Sequence, residues 1–282
     1  MNSSASLSHE LPYWEFLDQP FSHLILWDGS LSTGVEILPL DIECFDEGRI
    51  NQLVLGLRSF VNSLPEGITG QFYVKVETDF EEIISSHEKL AQSNVIFLND
   101  LDKSRIGDLR ALVAEGSVFR PKLYFSLKTE AAEKPKTFAL SAAKKFSTEF
   151  GKFYEDRIQT LSQSIEGVRS QLSNLGFYSE QLTRDQMISL IYKHLNPTRS
   201  TELSAPNVSR SCAIDGSSPR EQLVFGDLIL DQEDFELDRV RTRVLTLKTL
   251  PEMTFAGMMN GFLNLPFKYE LFFSFHIQEQ GK

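Results

Sequence analysis

The stretch LTRDQMISLIYKHLNPTRS, residues 182–200, predicts a capped amphipathic helix that an Asn-Pro turn brings to an end. Thr183 and Gln186 have the spacing of a capping box, in which each side chain bonds the other residue's backbone N–H. Apolar residues then recur at helical spacing on one face: Met187, Leu190, Ile191 and Leu195. Pro197 pushes the backbone of Asn196 out of the helical region. The stretch fixes a structural element but suggests no chemistry.

A longer helical pattern precedes it, over about residues 139–175. Two apolar series with a spacing of seven are offset by three, as in a coiled-coil seam: Ile158, Ile165 and Leu172, and Tyr154, Leu161, Val168 and Leu175. Gly176 ends the pattern. We therefore predict an antiparallel helical hairpin over residues 138–196, with the seam packed on the return helix. The alternative is a protruding arm that contacts neighbours in an assembly.

Mixed strand and helix patterns surround this hairpin. Before it, the predicted strands are His23–Trp27, Thr33–Leu38, Ile68–Glu77 and Phe119–Lys128, and the predicted helices are Asp46–Leu64, Phe80–Gln92 and Asp100–Glu115. Pro121 indicates an edge position or a bulge in its strand. After the hairpin, strands are predicted near 223–230, 235–250 and 268–277, with a short helix near 254–262.

The two ends share a βαβ order, at Val35–Val76 and at Val244–Ile277. We predict an α+β fold in which these units build one antiparallel or mixed sheet packed with helices, plus the inserted helical hairpin. Two separate small sheets are the alternative. The predicted organisation is a disordered N-terminus at 1–10, an N-terminal α/β region at 11–137, the hairpin at 138–196, a linker or mobile loop at 197–220, and a second ββαβ region at 221–282.

Composition and charge restrict the class of protein. The 282 residues are 41% hydrophobic, and no run approaches the roughly 18–20 apolar residues that cross a bilayer. Cys44 and Cys212 alone give no disulfide framework, which predicts a reducing compartment and, by default, the cytoplasm. Residues 1–100 hold 16 Asp+Glu against 4 Lys+Arg, whereas the remainder is nearly neutral. Such an acidic segment disfavours nucleic-acid binding. It suits a basic partner, unless it is only a solvated face.

No motif for catalysis, cofactors or metals is found. The chain has no phosphate-binding loop, no dinucleotide fingerprint, no zinc spacing and no nucleophile elbow. We therefore predict no catalytic, cofactor-binding or metal residue in these 282 residues. A stand-alone hydrolase or nucleotide-binding enzyme with an unrecognised site stays the alternative.

The candidate interaction surface combines exposed aromatic residues with the acidic first third. Its aromatic members lie in the LPYWEF segment, and packing on their own domain is the competing interpretation. The candidates are Tyr13, Trp14, Phe16, Glu36, Asp41, Glu43, Asp46, Glu47, Glu77, Asp79, Glu81 and Glu82.

Several phrases, in order, resemble the N-terminal region of the TraC class of conjugative type IV secretion ATPases. They are Leu11-Pro12-Tyr13, Asp28-Gly29-Ser30 followed by LPLD at 38–41, NSLPEG at 62–67, LTRDQMISLIYKHLNPTR at 182–199, and LTLKTLPEMTFAGMMNGFLNLPFKYEL at 245–271. The resemblance spans almost the whole chain.

This resemblance implies a non-catalytic docking and assembly region that precedes an ATPase motor domain. ATP and magnesium would belong to that motor, which powers pilus assembly and substrate transfer and is expected to follow residue 282. The resemblance also implies docking on inner-membrane components of the secretion system, a homo-oligomer in the full protein, and a cytoplasmic location peripheral to the inner membrane.

Overall fold

A computed structural model of the protein describes residues 7–77, 80–91, 95–115, 117–118, 120–131, 143–209, 218–246, 249, 253, 258, 261, 265 and 268–278. The helices are α1 (Leu7–Glu10), α2 (Glu47–Asn62), α3 (Glu81–Leu90), α4 (Ile96–Ala114), α5 (Ala143–Asn174) and α6 (Arg184–Leu195). The strands are β1 (Tyr13–Leu17), β2 (His23–Leu26), β3 (Leu31–Leu38), β4 (Ile68–Glu77), β5 (Arg120–Thr129), β6 (Tyr178–Gln181), β7 (Leu228–Leu230), β8 (Phe235–Leu237), β9 (Val240–Thr242) and β10 (Glu270–His276).

One antiparallel sheet organises the fold, in the strand order β1-β2-β3-β5-β4-β10, with β6 paired to β3. Because β5 lies between β3 and β4, the unit β3-α2-β4 is a split βαβ, which confirms the predicted α+β fold class. β10 pairs with β4, so both ends of the chain contribute to this sheet. The first strand predicted for the second βαβ unit is not formed over residues 243–246, and most of its helix lies outside the described residues. β7, β8 and β9 form a separate meander.

The predicted helical hairpin is wrong, although its two helices are right. The α5 seam is buried, but it packs on the sheet: Leu161 and Ile165 join a core with Val35 and Phe125. Met187 of α6 packs with Tyr124, which neighbours Phe125 in β5 and therefore points to the opposite face of the sheet. The two helices thus cover opposite faces, and β6 between them joins the sheet edge at β3.

Two smaller predictions also need correction, and a third is confirmed. Residues 7–10 form a helical turn instead of a disordered end. Pro121 does have an edge position, as predicted: although β5 is central, its pairing with β3 ends at Leu123 and leaves Pro121 opposite β4 alone. The predicted linker at 197–220 is described at 197–209 and 218–220, and its first part is anchored, since Val208 is buried and its carbonyl accepts a hydrogen bond from Arg184.

The Asn-Pro turn after α6 is a junction with the meander. Asn196 is fully buried, and its side chain donates hydrogen bonds to the Tyr192 carbonyl in α6 and to the Leu223 carbonyl in the segment before the meander. The Asp238 carboxylate accepts hydrogen bonds from the backbone N–H groups of Thr198 and Arg199, at 2.8 and 2.7 Å. Asp238 and Arg239 both have positive φ, as a tight β8–β9 hairpin turn requires. The Asn-Pro turn therefore holds the meander against the end of α6.

A buried histidine makes the stability of this fold pH-dependent. His23 Nδ1 lies 2.7 Å from the Phe21 carbonyl, which can only accept, so this nitrogen donates. Nε2 of the neutral ring then accepts from the Tyr154 hydroxyl, at 2.8 Å. Burial lowers the pKa of His23, against smaller opposing effects of the Phe21 carbonyl and Asp18.

We expect the free energy of unfolding to fall as the pH drops below about 6.5, because the unfolded chain binds a proton at His23 more readily than the folded chain. The loss continues down to the lowered pKa of the folded state. Urea unfolding between about pH 7 and 5 measures this slope. His23→Leu should flatten it, whereas the exposed His9→Gln should not. Identical slopes for wild type and His23→Leu would contradict the assignment.

Candidate interaction surface

The aromatic candidates lie on the edge strand β1 and are divided between core and surface. Phe16 is buried in a core cluster with Leu24 and Tyr192, so it cannot contact a partner. Tyr13 is half-buried against the same cluster, and this burial raises the pKa of its hydroxyl. Trp14 is exposed. The LPYWEF segment thus packs mainly on its own domain, as the competing interpretation had it.

Trp14 belongs to an exposed aromatic patch that the sequence did not reveal. Its ring meets that of Trp27 edge to face, with centroids 5.0 Å apart. The guanidinium of Arg220 lies 4.9 Å from the centre of the Trp27 ring, which allows a cation–π contact. The β1–β2 pairing brings the two tryptophans together, and their separation in sequence concealed this.

The acidic candidates cluster at one place, the connection from β3 into α2. Asp41, Glu43, Asp46 and Glu47 are all exposed there. Asp46 is the N-cap of α2 and accepts a hydrogen bond from the Arg49 backbone at 2.7 Å. The helix N-terminus stabilises such negative charge, so Asp46 has a structural role. Glu43 and Glu47 remain available for a partner.

The other acidic candidates are scattered, and several have partners within the chain. Glu77 pairs with Lys122 at 3.3 Å, and Glu81 pairs with Arg110 at 2.9 Å. Glu36 lies within the sheet opposite Tyr124. Asp79 lies outside the described residues, and the side chain of Glu82 in α3 is not described. The structure therefore does not unite the predicted acidic set into one surface.

A surface that sequence reasoning missed is the α3–α4 hairpin. The two helices pack on each other, and Arg110 of α4 forms ion pairs with both Glu81 and Glu88 of α3. Ile84 and Ile106 are the buried aliphatic residues of this unit. Several large apolar side chains around the turn and along α4 are nevertheless exposed: Leu90, Val95, Ile96, Phe97 and Leu101. The sequence does hold a signal for these residues: α3 and α4 have more apolar positions than one contact between two helices can bury.

A second missed feature links β10 to α6. The half-exposed side chain of His194 in α6 places its Nδ1 2.8 Å from the Glu270 carboxylate of β10. Burial opposes the charged form of Glu270, but the His194 contact and Lys75 together hold the pKa of this carboxyl below its usual value. Burial, and then Glu270, raise the pKa of Tyr73. These contacts fasten the last strand to the helix.

Within the part of the chain that the structure describes, no group of three or more His, Cys, Asp or Glu side chains is arranged to hold a metal ion. Among the described helices, none is long and apolar enough to cross a membrane.

The fold places this chain among α+β proteins with an antiparallel sheet covered by helices. A family model described as TraC protein matches residues 7–280, so the chain belongs to the TraC family. That family places it in a conjugative type IV secretion system. The search of curated proteins found no match.

Proposed function

We propose that this chain is the non-catalytic docking and assembly region of an ATPase of a conjugative type IV secretion system. Membership of the TraC family supports the setting. The observation that carries the docking role is the self-packed α3–α4 hairpin with its exposed apolar residues, since exposed apolar surface of this extent marks interaction sites. The acidic β3–α2 connection adds a surface suited to basic partners.

The remaining parts of the proposal concern the whole protein. A motor domain C-terminal to residue 282 would bind ATP and magnesium and power pilus assembly and substrate transfer. The region described here would hold that motor against inner-membrane components, at the cytoplasmic side of the membrane, and would contribute to a homo-oligomer. Direct nucleic-acid binding is not expected, because residues 1–100 are strongly acidic.

A pull-down on synthetic peptides tests the docking role, with the basic cytoplasmic tails of the system's inner-membrane components as bait. We expect Glu43→Lys/Glu47→Lys to weaken binding about 5- to 10-fold, because it reverses charge where basic side chains would be attracted. Glu155→Lys/Asp156→Lys, at two exposed residues of α5, makes the same change of charge elsewhere and should bind normally.

Equal losses from both variants would indicate unspecific attraction, and failure of the wild-type chain to bind any tail would refute the docking role. A calorimetric titration with ATP addresses the enzyme alternative. Micromolar affinity of this chain for the nucleotide would favour that alternative over ours.

A further inference from the structure

The outer face of α4 carries an apolar stripe made of Phe97, Leu101 and Leu112, which are 72%, 55% and 41% exposed. Positions four and eleven residues apart share one side of a helix, since each residue turns by about 100°. Ile106 is nine residues from Phe97, hence on the opposite side, and it is buried. The helix thus buries one face within the hairpin and presents a second apolar face outward.

The apolar surface continues from this stripe to the end of the hairpin. Leu90, Val95 and Ile96 are exposed there, at the end of α3 and the start of α4. Single exposed apolar residues are ordinary, but patches beyond a few hundred Å² on a monomer mark interaction sites. Six large apolar side chains are exposed on this one two-helix unit, which is more than the isolated exposure of single residues.

The charges around the stripe indicate what would cover it. Asp108 lies within the stripe and Asp100 borders it, and both are exposed. Arg105 borders the opposite edge. Over residues 81–115 there are seven Asp+Glu against four Lys+Arg. The surface therefore combines apolar contact with a negative field, which a basic ligand with an apolar face would match.

We propose that the α4 stripe binds a basic amphipathic helix of another protein. The apolar face of that helix would lie against Phe97, Leu101 and Leu112, so that two helical faces pack on each other. A Lys or Arg within that face would meet Asp108, and one that flanks it would meet Asp100. This inference rests on the proposed docking function and names the surface and the chemistry of the ligand.

Two other occupants fit the charge less well. A second copy of the chain would bring together two hairpins that each carry seven Asp+Glu against four Lys+Arg over residues 81–115. An anionic lipid surface would repel the same segment. Like charges in an interface cost free energy, whereas a cationic helix gains from the same field.

Fluorescence anisotropy with a labelled Leu/Lys peptide tests this inference. One peptide arranges leucine on a single helical face, and a scrambled peptide of equal composition does not. We expect the chain to bind the amphipathic peptide at least about tenfold more tightly than the scrambled one. Phe97→Ser/Leu101→Ser should weaken that binding about tenfold, because it removes the central apolar contacts. Asp100→Lys/Asp108→Lys should also weaken it.

The matched control is Val54→Ser/Leu55→Ser, which removes two exposed apolar residues from α2 and should bind like wild type. Equal binding of both peptides, or no effect of the stripe variant, would overturn the inference. So would vesicle binding that the stripe variant abolishes, which would assign the stripe to lipid. A dimer seen in sedimentation and lost in that variant would assign it to a second copy instead.

The pull-down described above separates this inference from the proposed function. If the wild-type chain and the stripe variant bind the inner-membrane tails equally well, docking stands and the stripe is not its surface. If the wild-type chain binds no tail, the docking function itself fails. If the wild-type chain binds the tails and the stripe variant does not, the result supports both the docking function and the assignment of the stripe.

Discussion

Phe125→Ala is expected to lower the free energy of unfolding by about 3–5 kcal/mol, the largest effect of a single substitution that we anticipate. Phe125 is fully buried at the centre of β5. Its ring lies 4.6 Å from that of Phe72 and 5.4 Å from that of Phe60, in angled contacts. Truncation would leave a cavity and also remove these aromatic pairs, each of which contributes about 0.5–1.5 kcal/mol.

Urea unfolding followed by tryptophan fluorescence or circular dichroism measures the loss. The matched control is Phe273→Ala on β10, because Phe273 is 56% exposed and its removal opens no interior cavity. That variant should change stability by less than about 1 kcal/mol. Comparable losses in the two variants would show that Phe125 is not at the centre of the core.

Asn196→Ala is expected to cost about 3 kcal/mol, because it leaves buried backbone groups without partners. Asn196 Nδ2 donates to the carbonyls of Tyr192 and Leu223, at 2.9 and 2.8 Å. Its Oδ1 accepts from the Phe225 N–H at 2.9 Å. One side chain therefore joins the end of α6 to the segment that leads into the meander. We expect the loss of stability to appear first as local opening of that junction.

Hydrogen exchange gives a local measurement of this effect, in addition to urea unfolding. The Phe225 amide should exchange faster in the variant, because its acceptor has gone. Asn196→Asp should fail to restore stability, since a carboxylate cannot donate to the two carbonyls. Asn51→Ala, at an exposed position of α2, is the control and should be nearly neutral or slightly stabilising. Protection at Phe225 that is unchanged in Asn196→Ala would refute the junction.

The elements whose causes are local could be predicted well. The capping box of Thr183 and Gln186 is present as predicted, because its two hydrogen bonds join residues three apart. The alternation in residues 119–128 identified β5 for the same reason, since pleating is a property of the strand itself. The heptad spacing in α5 correctly marked which face is buried.

The sequence could not specify what that face would pack against. A seam of Ile158, Leu161 and Ile165 is equally apolar toward a helix or a sheet, and in the structure it packs on the sheet. For the candidate surface too, the sequence could not specify which distant elements come together. The exposure of Phe97 and Leu101 depends on whether another element covers α4. The acidic residues predicted as one set are separated because different helices, strands and loops carry them.

By itself, the sequence determined the helices α2 to α6, the strands β2 to β5 and β10, the buried face of α5, the acidic first third and the resemblance to the TraC family. Only the tertiary structure decided that β5 lies between β3 and β4, that α5 and α6 cover opposite faces, and that Asn196 joins α6 to the meander. The physical reason is the separation along the chain of the residues that interact. Caps, turns and alternation arise from neighbours along the chain, whereas pairing and coverage are set by which distant surfaces together bury the most apolar area.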